Sequence, residues 1–268
     1  MQGFAPRERW HVGCYTASTM VEGIYNNAAS LTALEKWQAA ITQNLVASNV
    51  AGFKKTNFAV ESDEDIKTKY QPGISAANHT GGLPVRTTSI NFTPGEIEQT
   101  QKPTDIAIDG PGFFQIQGAD GNNLYTRNGE FQFNNENTLV TRHGLPVLGD
   151  GGPITIDPEQ GAVSIAKDGT ISQGNNLLGR LQLYNFEDPQ GLTRVEGGYF
   201  EVPDGVEAEV LEDSKVVQGA IESSNVLPME ELVNLIQVAR AYEASQRSML
   251  SHDDLVSKAI NTLGSTTA

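Results

Sequence analysis

Residues 104–117 read Thr-Asp-Ile-Ala-Ile-Asp-Gly-Pro-Gly-Phe-Phe-Gln-Ile-Gln. Ile106 and Ile108 stand two apart inside the acidic frame of Asp105 and Asp109, Gly110-Pro111-Gly112 supplies a turn, and Phe113 to Gln117 resumes the run. Alternation with period two, broken by dense turn residues, marks short strands. The same texture continues downstream. Asn128-Gly129, between Tyr125-Thr126-Arg127 and Glu130–Phe133, is the strongest two-residue hairpin signal, since both positions of such a turn need positive φ. Further strands are expected at Thr138–Thr141, Ile154–Ile156, Val163–Ile165, Thr170–Ser172, Arg180–Phe186, Tyr199–Val202 and Ala208–Glu212. Strands at this spacing imply an antiparallel sandwich or irregular barrel.

Outward from this region the period changes from two to that of a helix. Towards the N-terminus, Ile24, Ala28, Leu31, Leu34, Ile41 and Leu45 recur in three-, four- and seven-residue steps, predicting a helix between Val21 and Asn49 with one narrow apolar stripe that ends before Gly52. Towards the C-terminus, Pro228 stands where a first helical turn tolerates proline, with Ser224 or Asn225 as candidate cap and Gly264 as the stop. Leu235, Tyr242, Met249, Val256 and Leu263 then repeat every seven residues, while the companion positions Leu232, Ala239, Gln246, Asp253 and Ile260 are mixed. The repeat fits a coiled-coil-like seam and equally an amphipathic helix lying on its own domain's core. The class is therefore α+β, long helices at both ends of a mainly antiparallel β domain. Boundaries are expected at 1–19 for an upstream extension, 20–52 for the N-terminal helix, 53–102 for an irregular β-leaning connector with turns at Pro72-Gly73, Gly81-Gly82 and Pro94-Gly95, 103–218 for the β domain and 219–268 for the C-terminal helix.

The 268 residues are enough for a real core, and their 33 acidic against 18 basic side chains leave a formal charge of −15. Such a surface repels phosphate, so neither nucleic acid nor membrane insertion is expected. The single cysteine, Cys14, allows no internal disulfide and no cysteine-based zinc cluster. No stretch approaches the roughly 20 apolar residues that span a bilayer. Arg7, Glu8, Arg9 and His11 interrupt the opening residues where a secretory signal would have its apolar core.

Motifs for catalysis are sparse. His11, His79, His143 and His252 form no HxxxH or HExxH pair, and there is no GxSxG elbow and no phosphate-binding GxxxxGKS/T loop. Gly110-Pro111-Gly112 runs into Phe113-Phe114-Gln115 where a dinucleotide fingerprint needs a third glycine. Asp120-Gly121-Asn122-Asn123 lacks the remaining ligands of a calcium loop and reads as a turn. Carboxylate pairs such as Asp105 with Asp109 or Glu187 with Asp188 could serve a glycoside hydrolase, but in so acidic a chain such pairs arise by chance, and both tryptophans, Trp10 and Trp37, lie outside the β region. Asn78-His79-Thr80 and Asn91-Phe92-Thr93 match the glycosylation sequon, which matters only in a eukaryotic secretory setting. No catalytic residue, metal site or cofactor is expected.

Four ordered motifs do carry a resemblance. Met20–Ser30 is similar to the opening of the bacterial flagellar rod and hook proteins, and Gln43–Lys55, with Asn44, Asn49, Gly52, Phe53 and Lys54, is similar to that family's Asn-rich signature ending in Gly-Phe-Lys. Asp105, Asp109, Gly110, Gly112, Phe113 and Phe114, followed by Tyr125–Phe131, resemble its central motif. Ser224-Asn225-Val226 and Glu231–Glu243, with Asn234, Arg240, Tyr242 and Glu243, resemble its C-terminal helix motif. Two departures stand out: Ala47-Ser48 replaces the family's usual Asn-containing pair, and residues 1–19 precede its usual start, which favours Met20 as the first translated residue.

The resemblance implies a structural subunit, not an enzyme, that polymerises through paired terminal helices into the axial rod between motor and hook, with the β region outward. It implies the flagellar type III export apparatus as the route to the periplasm, and other rod subunits and the motor-side and hook-side axial proteins as partners. The implied assembly seam joins Leu31, Leu34, Ile41 and Leu45 to Leu232, Leu235, Tyr242, Met249, Val256 and Leu263. Length from Met20 and the ending Ala259–Gly264 are more similar to the proximal than to the distal rod protein. A secreted β-domain adhesin and, less so, a carbohydrate-active enzyme are the alternatives from other classes.

Overall fold

The computed structural model describes residues 12–61, 85–203, 205–211 and 215–265. Among these residues, two helices, α1 (Val12–Val46) and α2 (Pro228–Ser265), bracket 19 short strands, so the class is α+β with mostly antiparallel pairing. The turns expected at Pro72-Gly73 and Gly81-Gly82, residues 1–11 of the upstream segment, His79 and the Asn78 sequon lie outside the described residues. The chain forms two compact units. One takes Met1–Gln43, Asn57–Thr88 and Met229–Ala268, the other Asn44–Thr56 and Ser89–Pro228.

The second unit is organised by a six-stranded antiparallel sheet. Its spatial order is Thr193–Arg194, Phe200–Glu201, Asn123–Thr126, Phe113–Gln117, Leu183–Asn185 and Glu209–Val210. Phe113–Gln117 lies in the middle, with Phe114 opposite Thr126 on one side and Leu183 on the other. Successive strand residues face opposite sides of a sheet, and here both sides are covered. Phe114 and Ile116 enter a core with Ile106, Ile108, Phe131, Leu139, Leu181 and Val216, whereas Phe113 enters a second core with Tyr125, Phe186, Leu192 and Phe200. That explains adjacent phenylalanines where a one-sided strand would have alternated. Smaller ladders surround the sheet: Ile106–Ile108 with Val216–Gln218, Ile97–Gln99 with Ala220–Glu222, Phe131–Phe133 with Leu139–Thr141, and the meander Val163–Ile165, Thr170–Gln173, Asn176–Arg180.

Three strand expectations are corrected. Asn128-Gly129 is no hairpin turn, because Asn123–Thr126 and Phe131–Phe133 belong to different sheets and neither turn residue has positive φ. Asn128 instead accepts a hydrogen bond from the Glu130 amide at 2.8 Å, and a Cβ on Gly129 would lie 1.7 Å from the Ile106 carbonyl oxygen. Close backbone approach, not turn dihedrals, requires this glycine. The hairpin falls earlier, joining Phe113–Gln117 to Asn123–Thr126 around Asp120-Gly121. Arg180–Phe186 is not one strand: Asn176–Arg180 closes the meander and Leu183–Asn185 joins the large sheet. At Ile154–Ile156 only Thr155 makes an isolated bridge, to Thr138.

α1, which lies in the other unit up to Gln43, is helical from Val12, the first described residue and upstream of the expected Val21, and gives way to a 3-10 turn at Ala47–Asn49. Its buried positions are largely alanines, Ala29, Ala33 and Ala40 with Ile41, while Leu31, Leu34 and Trp37 are half-buried and Trp37 stacks on Phe58 at 6.4 Å. On α2, Leu235, Tyr242, Met249 and Val256 are half-buried in heptad register, and the Tyr242 hydroxyl donates to Glu35 of α1 at 3.3 Å. The companion row differs from the expected one. Leu232, Ala239, Gln246, Asp253 and Ile260 are exposed, and Glu231, Val238, Ser245, His252 and Ala259 complete the covered face. Rows three and four residues away flank a seam on opposite sides of a helix, so periodicity alone left the choice open. The Leu263 and Ile24 side chains lie outside the described ones.

Candidate functional site

Three of the four motifs converge in the second unit, where the chain leaving α1 meets the chain entering α2. Asn44, buried near the end of α1, pairs with the backbone of Thr56 like a strand partner: its Nδ2 donates to the Thr56 carbonyl and its Oδ1 accepts from the Thr56 amide, each at 2.9 Å. The enclosed loop turns at Gly52, with φ +67°, and packs so closely on the Arg127-Asn128 peptide that a Cβ there would lie 2.3 Å from the Arg127 carbonyl carbon. Glycine serves here both the left-handed dihedral and the close approach. The Gly52 amide donates to the Glu222 carbonyl at 2.6 Å, and the Asn225 amide to that of Phe53 at 3.3 Å.

This loop carries Lys54 into the interior. Its ammonium, 0% exposed, donates to Glu222 Oε1 and to the Thr93 carbonyl at 2.9 Å. Glu222 Oε1 also accepts from the Gly95 amide at 2.9 Å, and its Oε2 stands 3.3 Å from Arg127 Nη1, so two cations share one carboxylate. Arg127 further donates to the Gly110 carbonyl at 2.7 Å and lies over the Phe113 ring. Burial holds the Lys54 ammonium below its ordinary value, with the Glu222 charge pulling the other way, and lowers Arg127 in the same manner. A buried cation is tolerated only with such partners.

Two more side chains close the junction. Asn225 accepts from the Lys55 amide at 2.7 Å and donates to the Asn91 and Thr93 carbonyls at 2.8 and 3.0 Å, so it ties three segments together and does not cap α2, as the sequence had suggested. Arg194 stacks over Phe53 at 4.4 Å, donates to Thr56 Oγ1 at 2.9 Å and to the Lys54 carbonyl, and is lowered by burial to about 10. Arg194 occurs in none of the recognised motifs. Glu222 also escaped sequence reading: a lysine bound for the interior demands a carboxylate, but 33 acids were available and none carried a mark. Arg127 lay inside the Tyr125–Phe131 motif without being singled out.

Of the other motif residues, Asp105, Gly112, Phe113 and Phe114 are buried, whereas Asn49, Asp109, Arg240 and Glu243 are exposed and Gly110, Asn234 and Tyr242 are intermediate. Leu45 is half-buried at the end of α1. Among the described residues, no group of three His, Cys, Asp or Glu side chains is placed to hold a metal ion, and no helix is long and apolar enough to cross a membrane. The junction's charges pair with one another and with backbone carbonyls and amides of the same unit, an arrangement that fastens segments.

Comparison with known proteins adds to this geometry. A family model described as flagellar hook protein FlgE/F/G D1 domain matches residues 107–173, and one described as flagellar basal body rod FlgEFG protein C-terminal matches residues 217–262. The first contains Arg127 and the second Glu222 and Asn225. The flagellar basal-body rod protein FlgF of Caulobacter vibrioides is 37% identical over 227 residues, covering 82% of this chain and 91% of the relative. FlgG of Buchnera aphidicola subsp. Acyrthosiphon pisum is 33% identical over 266 residues, with 89% and 98% coverage. FlgF of Salmonella typhimurium is 32% identical over 249 residues, with 88% and 95% coverage.

Proposed function

The chain belongs to the flagellar basal-body rod proteins, the family of its FlgF and FlgG relatives, and from that premise we propose how it is built into the rod. It is a structural subunit of the bacterial flagellar basal body, where it assembles with other basal-body components. Within that role, α1 and α2 form the coiled-coil-like axial part and the β domain faces outward. Subunits polymerise through the helices, which pack within and between copies with Leu31, Leu34, Ile41 and Leu45 on one side and Leu235, Tyr242, Met249, Val256 and Leu263 on the other. The observation that carries this reading is the junction: one cluster of buried charges fastens the end of α1 and the approach to α2 to the same β domain. The heptad register of the covered face of α2 supports the same reading.

The subunit is a FlgF-type protein of the proximal rod. The 37% identity to a FlgF relative supports this position. It travels through the flagellar type III export apparatus and assembles in the periplasm, between motor-side and hook-side axial proteins. It performs no catalysis, and no observation favours the adhesin or the carbohydrate-active enzyme. Deleting the gene is expected to stop flagellar growth at the basal-body stage and abolish swimming, and the chain is expected in purified basal bodies. Normal flagella in the deletion strain would overturn the assignment to the rod.

A further inference from the structure

Two uncovered features stand out among the described residues, a groove whose lining is part polar and part apolar and an apolar helix stripe. The first is a groove of about 610 Å³ in the second unit, walled by Val50 just after α1 and by Ile221 and Leu227 before α2, with Glu96 and Glu98 exposed on its lining. Leu227 is 58% exposed there. The second is a stripe on the first two turns of α2. Met229, Leu232, Val233 and Ile236 follow the i, i+3, i+4, i+7 rule and are 74, 41, 48 and 54% exposed. Arg240 continues this face one turn on and is exposed as well.

Four large apolar side chains in register on a solvent-facing helix mark an interaction surface rather than scattered exposure. The chain cannot cover its own stripe with its own groove. Pro228, the first residue of α2, lines the groove, and a continuous helix starting from the wall cannot fold back into the cavity it leaves. We propose that the groove of one copy receives the Met229–Ile236 stripe of a second copy, with Arg240 of the incoming helix against Glu96 and Glu98. This rests on the rod reading and names the contact behind it. Charge supports the choice of occupant: the groove offers two exposed carboxylates and the stripe ends in a guanidinium, a pairing that sets register. Because groove and stripe are different surfaces, the contact is heterologous, and repeating it produces an open helical array, not a closed dimer.

The test uses two tagged full-length versions, both carrying Cys14→Ser, expressed together in cells lacking the native gene. One carries Leu227→Cys, the other Ile236→Cys. Mild oxidation of purified basal bodies is expected to join the two tags in one disulfide-linked species, absent when either cysteine is missing. Both versions present in basal bodies without that species, or each joined only to a different rod protein, overturns the groove contact and leaves the rod reading intact. Absence of even the wild-type chain from basal bodies overturns the rod reading itself. As a check independent of cysteines, Glu96→Arg with Glu98→Arg is expected to abolish swimming, and adding Arg240→Glu to restore it. Folded, exported chains in which the triple change restores nothing overturn the proposed register.

Discussion

Glu222 is the residue on which the junction depends most, because Lys54 and Arg127 both lean on it. Glu222→Ala leaves two buried cations without their carboxylate and is expected to cost about 3–5 kcal/mol, read as a fall in the urea midpoint. Lys54→Met is milder, about 1–3 kcal/mol, since the Arg127–Glu222 pair survives, Glu222 Oε1 keeps the Gly95 amide and the Thr93 carbonyl keeps Asn225. A smaller loss for Glu222→Ala than for Lys54→Met would show that the carboxylate is not the hub. Lys54 also has a pH signature. Its folded-state value lies below the ordinary 10.5 because of burial, so in the alkaline window beneath 10.5 the unfolded chain holds more protons at this site than the folded one. Stability then rises with pH through that window. The difference in urea midpoint between wild type and Lys54→Met is expected to move in favour of the wild type as pH climbs towards 10.5, and a flat difference would contradict it. Arg194→Ala removes the stack on Phe53 and two donors at about 2 kcal/mol, and Arg194→Lys does not restore them, since an ammonium lacks the planar fork that stacks and reaches both acceptors.

At the level of elements, the two helices obey their sequence periods to different depths. On α2 the heptad Leu235, Tyr242, Met249, Val256 was plain in the sequence, because a seven-residue repeat of large side chains needs no partner to be seen. Which row accompanies it was hidden, because the covered companions include Glu231, Ser245 and His252, and only the side on which other elements lie distinguishes them from Leu232 and Ile260. Val238, 0% exposed, and its neighbour Ala239, exposed, make a sharp comparison. Val238→Ala is expected to lower stability by about 2 kcal/mol through lost methyl burial and the space left behind, and Ala239→Ser to stay within about 0.5 kcal/mol. Thermal melts followed by far-UV circular dichroism decide it, and equal losses would refute the assigned face. Among the strands, Gly129→Ala is expected to prevent the Ile106–Gly129 approach altogether, so that little folded protein is recovered.

For the whole molecule, separation of labour between units predicts how damage spreads. Leu235→Asp with Met249→Asp changes only the helical unit, whereas the sheet and junction lie in Asn44–Thr56 and Ser89–Pro228. The double variant is expected to remain soluble, with the near-ultraviolet signal of its packed Phe113, Tyr125 and Phe200 cluster intact, yet to be absent from basal bodies. Wild-type incorporation would remove the helical face from assembly. The charge of −15 fits this division, because the apolar rows of α2 are poor in acids while carboxylates populate the loops of the β domain, as at Glu187-Asp188 and Asp157–Glu159. Mutual repulsion between such surfaces favours soluble subunits before assembly.

The class and the order of parts were legible in the chain's local patterns: helical periods at both ends, period two between, and motifs specific enough to point to a family. These are local properties, legible because each repeats within a few residues. What joins them depends on contacts that exist only in the folded chain. Lys54 and Glu222 are 168 residues apart, and Lys55 meets Asn225 across 170. No local pattern can mark one carboxylate among many as the partner of one lysine, because burial creates that partnership: water leaves both charges at once, and each then requires the other. For the same reason Asn128-Gly129 looked like a hairpin from its residues and proved to be a backbone contact, since the Ile106 carbonyl that requires the glycine arrives from another strand.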